Sequence, residues 1–181
     1  NGAQGKGIVR LRKEAGGVRY TLTTDNYQRR RGRAATAAGA LARLRPQVRL
    51  SGYLAQPELS LIRLQGRICD VRALIQRDDT GAWQLTGIAV RAGKPGSVIS
   101  NIHGGGKALR LEDVLRRTLG EKVDAVQMTT RVKALALRVG EVLSRSTRCL
   151  GELGVDLGID TQGRIWIIEA NSRTGRAAFR R

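Results

Sequence analysis

Across 181 residues, 33 lysines and arginines face 15 acids, a net charge of +18, with 41% hydrophobic and only 3% aromatic residues. That is apolar material enough for one domain or two small lobes, and it argues against global disorder despite the charge. No apolar run approaches the roughly 20 residues of a membrane-spanning helix, which predicts a soluble chain, and Cys69, Cys149 and His103 cannot build a Cys/His zinc finger or an HExxH site.

The first residue is Asn1 rather than Met and no leader pattern follows, so the chain reads as a fragment or trimmed product of a cytoplasmic protein. Two cysteines without disulfide-like spacing fit a reducing compartment and are expected to be passive buried thiols. The stretch from Asn1 to Gly7 is a glycine-rich turn, and residues 8–11 and 18–23 predict two strands joined by the Gly16-Gly17 turn. Residues 25–33, polar and arginine-rich, predict a loop. Residues 34–44 predict an alanine-rich helix stopped by Pro46.

A strand is expected over residues 48–55, ending at Gln56-Pro57-Glu58, where the chain changes lobe. Residues 68–76 and 83–91 predict an antiparallel hairpin turned by Asp78-Asp79-Thr80-Gly81. Apolar residues at helical spacing predict helices over 110–119 and 123–150, with Gly120 between them. A final strand pair covers 154–159 and 165–171, turned by residues 160–163, where Asp160 is expected to cap the turn. Strands that come in hairpins rather than singly between helices predict an α+β fold.

The positive charge is densest early: residues 1–50 hold twelve Lys/Arg against Glu14 and Asp25, with Arg29, Arg30, Arg31 and Arg33 in one run. A nucleic-acid binder is one reading of such a run. The scarcity of aromatics removes its base-stacking platforms, and a solvated basic face or a site for small anions is the preferred alternative.

Chemistry concentrates in the last strand pair. Alternation puts Ile165, Ile167, Glu169 and Asn171 on one face, both faces begin apolar, and Glu169 is therefore expected at the end of a buried strand. A short hairpin brings Asp156 opposite Glu169 within about one residue of register. Two buried carboxylates repel unless a cation lies between them, and Asp, Glu and Asn oxygens suit Mg²⁺ completed by phosphate. The alternative is that these residues only cap turns. Gly5 and Gly7 with Lys6 could wrap phosphate through backbone amides, or form a ligand-free turn, since the Walker pattern is not met.

These landmarks, together with Asp70-Val71-Arg72, Arg91, the segment Ser100-Asn101-Ile102-His103-Gly104-Gly105-Gly106, Gly154-Val155-Asp156 and Glu169-Ala170-Asn171, resemble in order and spacing those of ATP-grasp enzymes. The texts Tyr53-Leu54-Ala55-Gln56, Trp83-Gln84-Leu85-Thr86-Gly87 and Trp166-Ile167-Ile168-Glu169-Ala170-Asn171-Ser172 are similar to the YheC/YheD family of endospore coat-associated ATP-grasp proteins. The resemblance spans nearly the whole chain.

It implies an ATP-grasp fold of two lobes with antiparallel sheets and helices, its N-terminal lobe missing: a smaller glycine-loop lobe, residues 1–56, and a larger metal-binding lobe, residues 57–181. It implies ATP and one or two Mg²⁺ ions as cofactors, with Asp156, Glu169 and Asn171 as metal ligands. Gln4, Gly5, Lys6 and Gly7 would fold over the phosphates, and residues 53–59, with Tyr53, Gln56, Glu58 and Leu59, would contact adenine. Asn101 would orient phosphate, and Arg72 and Arg91 would face the transferred phosphoryl group or the acyl phosphate, whereas each taken singly reads as a solvated or salt-bridged strand residue. His103, Arg173 and Arg176 could also meet phosphate or an anionic substrate, and His103 serves equally well in a turn.

The implied reaction is ATP-dependent ligation of a carboxylate to an amine or thiol through an acyl phosphate. The alternatives are a non-catalytic spore-coat-associated structural protein and, behind both, a basic nucleic-acid binder. Implied partners are a nucleotide, a carboxylate substrate and spore coat proteins, with no membrane and a cytoplasmic or coat-associated location. Two departures are visible: ligases joining two amino acids commonly carry an arginine where Gly154 stands, and Thr174 replaces a usual proline.

Overall fold

The computed structural model describes residues 7–24, 26, 28–45, 55–93, 108–147, 149–172 and 174. The chain divides into two units, Asn1–Glu58 and Leu59–Arg181. The strand expected over 48–55, the glycine loop up to Lys6 and the segment around Asn101 and His103 lie outside the described residues, apart from Ala55, which is irregular.

In the first unit, β1 (Val9–Glu14), β2 (Gly17–Thr23) and β3 (Arg29–Ala34) form an antiparallel sheet in that order, and α1 (Ala37–Leu44) follows. Gly17 has φ 150°, and a Cβ there would run into the Ala34 carbonyl, so the β1–β2 turn requires glycine. Thr36 caps α1, its hydroxyl accepting from the Gly39 amide at 3.0 Å. Leu22 and Leu44 are buried together with Val9 and Tyr20 packed on them, a small core on one sheet face.

The arginine run is therefore a strand and not the expected loop: Arg29, Arg31 and Arg33 pair with Thr23, Thr21 and Arg19 of β2. Strand propensity is low for such a run. Pairing with β2 and the burial of Ala34 override it, and alternation turns every second arginine to one face.

The second unit holds β4 (Arg63–Leu64), β5 (Arg67–Arg77), β6 (Trp83–Ala92), β7 (Ala108–Leu109), α2 (Leu111–Leu119), a 3-10 turn (Gly120–Lys122), α3 (Ala125–Ser146), β8 (Glu152–Ile159) and β9 (Ile165–Asn171). Its antiparallel sheet runs β7-β6-β5-β8-β9, with β4 pairing β5. The β5–β6 turn is built by Asp78, whose Oδ1 accepts from the Thr80 and Ala82 amides at 3.0 and 2.9 Å. This is the Asx geometry that an Asp/Gly connection supplies. Asp124 caps α3 in the same currency, accepting from Val126 and Gln127.

Val71, Ala73 and Ile75 of β5 and Leu153, Val155 and Leu157 of β8 are cross-strand partners and are almost wholly buried. They form one core with Val114, Leu115, Met128, Val132 and Ala136 of α2 and α3, so the helices cover one sheet face and leave the polar residues on the other. Gly140 lets α3 approach closely: a Cβ there would sit 2.7 Å from Ile75 Cδ1 and 2.9 Å from the Trp83 ring. Of the two cysteines, Cys69 is buried as expected, and burial pushes its thiol pKa up, whereas Cys149 is exposed.

β9 departs from the expected buried strand. It is the last strand in the sheet order, and Trp166, Ile167 and Ile168 are 38, 54 and 39% exposed, with Glu169 exposed after them. A bulge interrupts its pairing with β8: Leu157 faces Ile167 but Asp156 faces Glu169, so Ile168 is the extra residue. The one-residue shift moves Glu169 and Asn171 off the face of Ile165 and Ile167, and onto the face of Asp156 and Gly154.

Candidate functional site

The polar face of the second unit's sheet carries a cross-strand row. Arg72 on β5 lies opposite Asp156 on β8, which lies opposite Glu169 on β9. Two residues along β5, Asp70 lies opposite Arg91 on β6. Residues two apart on a strand share a face, so all five side chains stand on one side.

The central four are buried: Asp70, Arg72, Arg91 and Asp156 are 5, 9, 8 and 3% exposed. Two acids and two guanidiniums balance. Arg72 grips Asp156 with both Nε and Nη2, the latter at 2.9 Å, and Arg91 Nη2 reaches the same carboxylate at 2.9 Å. Arg91 Nε also donates to Asp70 at 2.7 Å. Burial alone would lower the Arg91 pKa, but the hydrogen bonds and charges of Asp70 and Asp156 hold it above its usual range. Bidentate forks of this kind are strong and directional.

Gly154 contributes by lacking a side chain. A Cβ there would sit 3.1 Å from an Arg72 nitrogen and would collide with Thr174, so the space left by the glycine is occupied by these neighbours. Glu152, in the next outward row, accepts from Gln76 Nε2 at 2.6 Å and from the Thr174 hydroxyl. Asp70 joins this network although no motif in the sequence gives it a role; its position two residues before Arg72 on one strand is the signal that could have found it.

Asn171 Nδ2 donates to Glu169 Oε1 at 2.8 Å, so the two expected ligands at the end of β9 touch each other. Asp156, Glu169 and Asn171 therefore share one face and offer hard oxygen atoms. That donor chemistry fits Mg²⁺. Among the described residues no three His, Cys, Asp or Glu side chains gather at metal-binding distance, so the donors described here are two carboxylates and one amide.

Asp160 lies at the hairpin turn and caps it. Its Oδ1 accepts from the Gln162 and Arg164 amides, both at 2.9 Å, and its Oδ2 from Arg164 Nε at 2.7 Å and Trp166 Nε1 at 3.0 Å. Burial would raise its pKa, but these donors win and lower it from 3.8 to about 2. A folded-state pKa below the unfolded one contributes stability above about pH 4, which is lost as the pH falls toward about 2. Asp160→Asn, followed by urea midpoints across the acid range, should flatten that limb. An unchanged limb would show that the turn carboxylate does not titrate with folding.

Of the remaining expected site residues, Gly7 lies at the base of the β1–β2 hairpin, its amide donating to Thr23 O at 2.8 Å. Glu58 is held by Arg10 and Arg12, and the Arg10 hydrogen bond lowers its pKa against partial burial. Gln56 and Leu59 lie in irregular chain. Gln4, Gly5, Lys6, Tyr53, Asn101, His103, Arg173 and Arg176 lie outside the described residues.

A family model described as YheC/D like ATP-grasp matches residues 1–181. The chain is 32% identical over 180 residues to the endospore coat-associated protein YheD of Bacillus subtilis (strain 168), which covers 99% of this chain and 39% of that protein. It is 31% identical over 129 residues to the endospore coat-associated protein YheC of the same organism, covering 71% of this chain and 35% of that protein. The chain thus spans less than half the length of these curated relatives.

Proposed function

The chain belongs to the YheC/D-like ATP-grasp family, and on that premise we propose that the polar sheet face of its second unit is a Mg-ATP site serving ligation of a carboxylate to an amine or thiol. The observation that carries this reading is the single row in which Asp156 stands between Arg72 and Glu169. Asp156, Glu169 and Asn171 would hold the metal, one or two ions. Arg72 and Arg91 would be the cations that face phosphoryl oxygens. Gln4 to Gly7 would close over the phosphates, Asn101 would orient them, and Tyr53, Gln56, Glu58 and Leu59 would line the adenine side, in a lobe boundary near residues 56–57.

Mg-ATP, when bound, supplies a phosphoryl group that activates the carboxylate as an acyl phosphate. The chain's own part is electrostatic. Arg72 holds Asp156 in one orientation through two parallel hydrogen bonds, and Arg91 braces it from the next strand with Asp70 behind. Asn171 fixes the Glu169 carboxylate through its amide N–H. Both Asp156 oxygens accept from guanidiniums, so a cation there would share the carboxylate with Arg72 and Arg91.

Glu169→Gln is the informative variant, because Glu169 is exposed and an isosteric change there should leave the fold intact. With the full-length protein, saturating Mg-ATP at about a hundredfold over its dissociation constant should stabilise the wild type by about 2.7 kcal/mol, a shift of several degrees. Glu169→Gln should lose most of that shift at the same concentration and keep the unliganded melting temperature. A wild type that does not respond, or a variant that responds equally, would sink the metal assignment.

One observation favours a second reading. The two buried acids Asp70 and Asp156 are paired with the guanidiniums of Arg72 and Arg91, so among the described residues the buried charges of the row balance without an ion. The chain's relatives are named for coat association, and a structural protein that retains the fold without turnover fits both facts. Release of ADP from ATP with candidate carboxylates separates the two. Among the described residues no helix is long and apolar enough to cross a membrane.

A further inference from the structure

The three-stranded sheet of the first unit has two unlike faces. Val9, Leu11, Tyr20 and Leu22 share the face that carries the small apolar core, together with Lys13 opposite Val18 and Arg30 opposite Leu22. The other face carries Arg10 and Arg12 of β1, Arg19 of β2, and Arg29, Arg31 and Arg33 of β3. The register alone collects these six guanidiniums, because arginines at alternating positions on neighbouring strands point the same way.

The face already displays how it takes a carboxylate. Glu58, 48 residues distant from Arg10, accepts from Arg10 Nε at 2.9 Å and lies 3.4 Å from Arg12 Nη2. Glu14 lies between Arg19 Nε at 2.7 Å and Arg33 Nη2 at 3.2 Å. In each case one carboxylate sits between two guanidiniums. Arg29 and Arg31 form a further pair, spaced two apart on β3 as Arg10 and Arg12 are on β1, and both are exposed. Among the described residues neither has an ion pair.

We propose that Arg29 and Arg31 dock an acidic side chain of a polypeptide partner, its carboxylate lodging between the two guanidiniums as Glu58 does between Arg10 and Arg12. Same-face positions on β3 lie about 6.6–6.8 Å apart, the repeat of alternating side chains in any extended peptide. An extended segment with Asp or Glu at every second position therefore presents carboxylates at the spacing of Arg29 and Arg31. Planar forks select carboxylate geometry, and the summed charge speeds encounter. Single-stranded nucleic acid fits less well, since Tyr20, the sheet's aromatic among the described residues, lies on the opposite face against Gly32 and offers no stacking surface here.

The test is fluorescence anisotropy on the full-length protein without nucleotide, so that its outcome is independent of the Mg-ATP site. The probes are a labelled peptide of alternating Glu and Ser and an oligothymidylate of equal charge. The variants are Arg29→Gln/Arg31→Gln and, as a charge-matched control, Arg117→Gln/Arg131→Gln on exposed helix positions of the second unit. The peptide should bind the wild type and the control alike, and the Arg29/Arg31 variant should weaken it about tenfold. Arg29→Lys/Arg31→Lys, which keeps charge and fold but not the fork, should fall between. No peptide binding to the wild type, equal weakening by both Gln variants, or tighter oligothymidylate binding lost in the same variant would each overturn the proposal, the last in favour of nucleic acid.

Discussion

Asp156→Ala should cost about 3–5 kcal/mol of folding free energy, seen as a large fall in the urea midpoint at unchanged slope. Asp156 is 3% exposed, and its removal leaves the Arg72 guanidinium buried beside no acid of its own, while Arg91 keeps Asp70. The penalty is that of an uncompensated buried charge, not the worth of the pair. Arg72→Met combined with Asp156→Leu should accordingly recover most of the loss, since apolar replacement of a buried pair is often neutral. A single variant that loses under about 1 kcal/mol would mean that water reaches these side chains and that the row is a solvated surface.

Leu157→Ala, one residue further on the same strand, should lose about 2–5 kcal/mol for a different reason. Leu157 is fully buried on the helix-covered face and lies opposite Val71 and Ile167. Truncation opens a cavity in the core that the neighbouring helices cannot refill. Ile167→Ala, its cross-strand partner at 54% exposure, should lose less than about 1 kcal/mol. Similar losses for the two would show that β9 is covered and that the edge assignment is wrong. Asp156→Ala and Leu157→Ala together separate the faces of β8: one supports charge placement, the other holds the sheet to its helices.

The candidate site was legible to the extent that its chemistry is local. Asp156 and Glu169 flank a turn whose Asp160 caps it through backbone amides, so their approach follows from hairpin closure within a few residues. The three-residue segment from Glu169 to Asn171 likewise brings its two ends together, and they hydrogen-bond. What alternation misassigned was the face. Ile165, Ile167 and Glu169 cannot share one side when Ile168 is bulged, and a bulge depends on what the opposite strand demands rather than on the residues beside it.

The rest of the fold divides the same way, between signals local in the chain and contacts made across it. Turn chemistry at Gly16-Gly17, Asp78–Gly81 and Asp160–Gly163, and helical spacing through α2 and α3, determined the hairpins, the helices and the α+β class, because these signals act between neighbours in the chain. Burial and register act between strands far apart in sequence. Only pairing with β2 made a strand of the arginine run, and only the juxtaposition of β5, β6 and β8 joined Asp70, Arg72, Arg91 and Asp156 into one balanced network. Such a network has no signature in any single segment, since each charge is tolerable in the interior only once its partner arrives from another strand.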